Sequence, residues 1–203
     1  MNLDGLVEMV ASYTKRPDLT SQIRTYFIPL AEARIGRDLR SMENERYAEV
    51  TPVDAENGAE LPADFGAPLA IHVKGNSWPL ASTGPDSLKK WQSVSSAENP
   101  LFYYIAASKT DAGKKAVYTA PYNGAALEVS YYSRPELTDA ANTNAVLDRY
   151  PQLYLYASML ELHVWEKNAE ALATIQGSYT DEIGAINRDA ERARGAKPAM
   201  EIV

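Results

Sequence analysis

The stretch Tyr150–Asn168, YPQLYLYASMLELHVWEKN, reads as a single helix. Pro151 suits a first helical position, where its missing donor would go unpaired in any case. A surface helix buries one stripe and shows the rest to water. Here Leu162, Leu155, Met159, His163, Tyr156, Leu160, Leu153, Val164 and Ala157 fill an arc of roughly 220° at the 3.6-residue helical repeat. So wide an apolar surface needs several neighbours. Leu153, Ala157, Leu160 and Val164 are expected inside a bundle. Tyr154 and Trp165 fall near the polar Ser158 and Glu161, so a surface from another chain is expected to cover them, with Tyr156 beside them.

Helical periodicity continues on both sides of an interruption. Near the start, Leu3, Leu6, Val7 and Val10 recur at helical spacing, with Tyr13 as a further candidate on that face and Asn2 or Asp4 as cap. Pro17 ends that helix. A second follows, with Ile23, Phe27, Leu30, Ile35 and Leu39 roughly on one face and Pro29 in its middle, which predicts a kink. Beyond the opening stretch, Leu172, Ile175, Tyr179, Ile183, Ile186 and Ala190 line one side of a long helix that Gly195 closes. Gly177 and Gly184 lower its propensity, and close packing against a neighbour would account for them.

From about Glu45 the character changes. Pro, Gly and Asn recur every few residues, with short β-like runs between them: RYAEVTP, APLAIHVKG, SWPLAS, LFYYIAAS, KKAVYTAP and ALEVSYYSRP. GPDSLKKWQSV among them reads as a short helix. The expected fold class is therefore α+β, mainly α. An antiparallel helical bundle of about four helices comes from 1–44 and 136–195, and a small antiparallel β-rich insertion occupies 45–135. The remaining AKPAMEIV, 196–203, reads as a flexible tail.

Composition narrows the function. The 203 residues carry a net charge of −7, and the basic residues are scattered among acids. Tight wrapping of nucleic acid draws on clustered Lys and Arg, so the pattern argues against it while leaving weak contact or passage of DNA open. With no cysteine there is neither disulfide nor thiolate chemistry. The acidic start lacks the basic, continuously apolar pattern of a signal peptide, and no run reaches the ~18 apolar residues of a membrane span. Phosphate-binding and nucleophile-elbow motifs are missing. SLKK at Ser87–Lys90 lacks the companion motifs of serine acylases. His72 and His163 have no ligand-spaced partner, so both read as structural. Pairs of carboxylates arise by chance among 27 acids and identify no hydrolase. No catalytic, cofactor or metal residue is assigned. Tyrosine is abundant, 13 against 3 Phe and 3 Trp, which suits half-buried interfaces.

Several stretches in order carry a resemblance. They are YTKRPDLTSQIRTYFIPLAEARIGRDLR, LPADF, PLFYYI, LEVSYYSRPELT, TNAVLDRYPQLYLYASMLE and YTDEIGAINRDAERARG, spanning roughly Leu6 to Gly195. Together they resemble the head-to-tail adaptor, or connector, proteins of short-tailed bacteriophages. The resemblance implies a structural virion protein at the head–tail junction, assembled in the host cytoplasm. It implies self-association into a ring, typically a dodecamer, that binds beneath the portal protein, extends the DNA channel and receives the tail nozzle or tube protein. DNA would pass through without specific binding, helped by like-charge repulsion. The interface candidates are Tyr154, Tyr156 and Trp165, with Met200, Ile202 and Val203 as apolar anchors of the tail. A virion-associated peptidoglycan hydrolase and a host or prophage protein-binding module are the alternatives.

Overall fold

In a computed structural model, which describes residues 1–92 and 99–195, the chain divides into two compact units. One comprises Met1–Asn44 and the chain from Arg134 onward; the other is Glu45–Ser133. About 49% of the chain is helix and 21% strand, so the fold is mixed with helices dominant.

In the helical unit, α1 (Leu3–Thr14) starts where the Asn2 side chain accepts a hydrogen bond from the Gly5 N–H at 3.0 Å. It stops at Lys15, which takes the left-handed conformation usually left to glycine (φ 56°). The next element is composite: α2 (Thr20–Gln22), a π-helical turn (Ile23–Phe27) and α3 (Ile28–Asp38). The Ile28 N–H reaches the Ile23 carbonyl five residues back, immediately before Pro29. The wide turn absorbs the donor that proline lacks, so a π-bulge stands where the sequence predicts a kink. Its extra residue also shifts the phase of everything downstream. Ile28, Ala31 and Ile35 face the core, while Leu30, expected on that face, is 52% exposed. The carboxyl of Glu32 is carried inward with them.

The return from the other unit is ordered by α5 (Ala145–Arg149), whose cap Asn144 accepts from the Leu147 N–H at 2.8 Å. The helix of the opening stretch, α6 (Pro151–Glu166), ends at a second left-handed lysine, Lys167. It then turns directly into α7 (Ala169–Gly195). Phe27 meets Trp165 while Arg34 meets Glu161, so α3 runs antiparallel to α6. Arg16, just past α1, reaches Glu166, so α1 and α6 finish at the same end. Flanked by α1, α3, α5 and α7, α6 is the central helix. Leu153, Ala157 and Leu160 are enclosed, whereas Val164, expected inside, is half exposed near the helix end. The unit is thus more than four simple helices. Gly177 has open space around it and Gly184 meets only the Arg188 guanidinium, so close packing does not account for either.

The second unit holds two sheets rather than one. The first has the order β1-β7-β3 (Glu45–Val50, Leu127–Ser133, Phe65–Val73) and is antiparallel throughout. The second has the order β2-β6-β5-β4 (Ala59–Glu60, Lys115–Ala120, Phe102–Ala107, Ala81–Ser82). Its β4–β5 pairing is parallel, against the expectation of an antiparallel insertion. Residues of both sheets, including Ala59, Ile71, Val117, Leu127 and Val129, share one core. The short α4 (Pro85–Gln92) lays Leu88 over Ala116 and Ala120 of β6, and Trp91 stacks on Phe102 with ring centres 4.8 Å apart.

Candidate protein-interaction surface

The opening stretch contains two tyrosines and a tryptophan expected at a contact, and the structure treats each differently. Tyr154 is wholly enclosed, so it is no contact residue of the folded chain. Its ring packs in the helical core, and its hydroxyl is used internally. It accepts from Asn144 Nδ2 at 2.8 Å and donates to Glu32 Oε1 at 3.3 Å. A buried tyrosine is acceptable when its polar tip finds such partners. Burial raises the Tyr154 hydroxyl well above its ordinary range, and the neighbouring Glu32 carboxylate adds to that. Burial likewise pushes the Glu32 carboxyl up to about 8, against the opposing effect of the Tyr154 hydroxyl and the Leu137 backbone N–H. Sequence periodicity misplaced Tyr154 because a tyrosine beside Ser158 and Glu161 looks polar until its partners are known. Tyr156 is half-buried and packs against the same core.

Trp165 is the residue that remains available. It is 56% exposed at the end of α6, with its ring 6.0 Å from that of buried Phe27. Phe27 and the local ion pairs fix the surroundings. Glu166 joins Arg16 and also meets His163 Nδ1 at 3.1 Å. One turn earlier, Arg34 donates through Nε (2.8 Å) and Nη2 (2.6 Å) to Glu161 Oε1. His163, read as structural, is nearly buried in this setting. Met200, Ile202 and Val203 lie outside the described residues.

Trp165 belongs to a larger surface that the sequence did not single out. Where α1 and α6 finish and α7 begins, Tyr13 is 65% exposed. It borders a hollow of about 450 Å³ floored by Met159, His163 and Ile175. A second recess, formed by Arg16, Trp165, Glu166 and Asn168, shares Asn168 with the first. Tyr26 and Leu30, on the element that carries Phe27, are also more than half exposed. Exposed aromatic side chains held by a rigid framework are the material of interface anchors. Trp165 and Tyr26 fall outside any helical apolar stripe, which is the sequence signal for them, whereas Tyr13 and Leu30 continue such stripes, so periodicity pointed them inward. Among the described residues no group of three His, Asp or Glu side chains converges as a metal site, and no helix is long and apolar enough to cross a membrane.

The aromatic side chains left outside the core, Tyr13, Tyr26 and Trp165, are the kind of group a protein partner would cover. Over residues 1–200 the chain matches the family model of the SU10 adaptor protein, and it belongs to that family. The family points to a structural adaptor of a bacteriophage virion rather than to an enzyme. No curated protein matches the chain.

Proposed function

We propose that the chain is a head-to-tail adaptor that forms a ring beneath the portal of a short-tailed phage. The ring, typically a dodecamer, extends the DNA channel and receives the tail nozzle or tube protein. Family membership over nearly the whole chain supports the adaptor role. The observation that carries the assembly reading is the exposed Trp165 and Tyr13 surface, rigidly framed where α1, α6 and α7 meet. A ring needs two different complementary faces on each subunit, because its contacts are heterologous. The Trp165 surface supplies one of them. The net charge of −7 suits a channel that lets DNA slide, since like charges do not grip. Subunits that stay apart in solution can still assemble when a portal template raises their effective concentration. Mixing the purified chain with portal rings and imaging the product by electron microscopy tests the reading. A stacked ring under the portal is expected; portal rings that remain bare at saturating chain concentration would refute it.

A further inference from the structure

The β unit leaves one strand edge open and guards another, and the contrast identifies a binding site. Along β5 the register Phe102↔Ala120 to Ala107↔Lys115 continues into a Ser108 N–H to Lys114 carbonyl bond at 2.9 Å. Hydrogen-bonded pairs alternate in an antiparallel ladder, so residues 102, 104 and 106 face β6. The backbone groups of residues 103, 105 and 107 therefore point to the other edge. There β4 pairs only with Phe102 and Tyr103, and the last bond runs from the Thr83 N–H to the Tyr103 carbonyl at 2.9 Å. Beyond it, among the described residues, no backbone group meets the Ile105 N–H, the Ile105 carbonyl or the Ala107 N–H on that edge.

Such an edge is a template for another strand unless it is blocked. The β3 edge is blocked. It carries Pro68, which has no donor, and two register irregularities on either side of it. Lys115 Nζ covers its Gly66 carbonyl at 3.3 Å, and the Leu80 N–H covers Ile71 at 2.7 Å. The β5 edge has no proline, charge or bulge. Between the two lies a groove of about 730 Å³, walled by Phe65 and Pro68 on one side and by Tyr103, Ile105 and Ala107 on the other. Lys115 sits at its border with its ammonium 5.3 Å from the centre of the Phe65 ring, and no carboxylate among the described residues forms an ion pair with it.

We propose that β5 takes up an extended peptide segment of another protein as an added strand, with alternating apolar side chains and an acidic residue beside Lys115. Main-chain bonds to Ile105 and Ala107 supply the pairing, and the apolar wall selects alternate side chains. The occupant is an extended segment because the open backbone groups lie along one strand edge with β3 across the groove, and the Lys115 ammonium, which has no carboxylate partner among the described residues, calls for an acidic side chain. Strand addition at this edge does not depend on ring formation under a portal.

The test uses the full chain, labelled for nuclear magnetic resonance. The probes are a panel of short alternating Val/Thr peptides with an aspartate moved through each position, each paired with a twin N-methylated at alternate backbone nitrogens. Binding is expected to shift the Ile105 and Ala107 amides and slow their hydrogen exchange, with no effect from the methylated twin. Ala107→Pro removes one outward donor and should weaken binding about tenfold. If that variant fails to fold, the methylated twins alone decide. Three results would overturn the proposal: no panel member perturbing these amides at millimolar concentration, twins that bind equally well, or self-association of the chain through β5 that Ala107→Pro abolishes. The last would assign the edge to a second copy instead.

Discussion

Replacing Glu32 with glutamine should stabilise the helical unit, and the gain should depend on pH in one direction only. Glu32 is 6% exposed, and its carboxyl keeps its proton in the folded chain up to about pH 8, whereas in the unfolded chain it titrates at its ordinary value of 4.5. Below the lower value the group is protonated in both states and has no effect on stability. As pH rises from there, only the unfolded chain gains by ionising, so stability falls until the folded group also ionises and is constant above that. Each tenfold change in proton affinity is worth about 1.4 kcal/mol, so the full difference is at most about 5 kcal/mol. Water penetration and relaxation reduce it. Glutamine keeps the shape and an acceptor for the Tyr154 hydroxyl but never ionises. Urea unfolding followed by circular dichroism at 222 nm, which reports mainly on α1, α3, α6 and α7, measures the difference. Near pH 4 the variant should match the parent or be slightly weaker; near pH 9 it should be more stable by about 2–5 kcal/mol. A difference that stays flat across this range, or a parent that gains stability over the variant with rising pH, would refute the reasoning.

Other substitutions probe separate parts of the molecule. Trp165→Ala should reduce assembly on portal rings by about 2 kcal/mol or more while leaving the melting temperature little changed, read by binding titration beside thermal denaturation. A collapsed melting temperature with unchanged assembly would count against a contact role. Tyr154→Phe removes the hydroxyl between Asn144 and Glu32 and should destabilise the helical unit by about 1–2 kcal/mol, measured by chemical denaturation. Gly58 has φ +65°, and a Cβ there would lie 2.5 Å from the Val117 carbonyl oxygen. Gly58→Ala should therefore cost the β unit about 1–3 kcal/mol, visible as a lower melting temperature of the sheet signal.

Local patterns in the sequence determined the long helices at Leu3–Thr14, Pro151–Glu166 and Ala169–Gly195, because each has apolar residues at a repeat that only a helix satisfies, and a cap or stop beside it. They also determined that the middle of the chain is strand-rich, from its β-branched and aromatic runs between turn residues. The tertiary structure decided what local patterns cannot carry. Whether Pro29 kinks a helix or is absorbed by a π-bulge depends on which packing the bundle allows, and that choice moved Leu30 outward and Glu32 inward. Two sheets formed because β1 and β7, far apart in sequence, pair along their whole length, a long-range choice invisible to a short window. Tyr154 became core rather than contact for the same reason: its hydroxyl is polar in isolation and satisfied only where Asn144 and Glu32, from distant segments, converge on it. Trp165 stayed outside because its ring meets the core only at Phe27 and is otherwise open at the helix end. The open edge of β5 arose because β4 is only two residues long and stops before Ile105. Periodicity records how a segment meets its surroundings on average; which group meets which is settled only when segments distant in the chain are brought together.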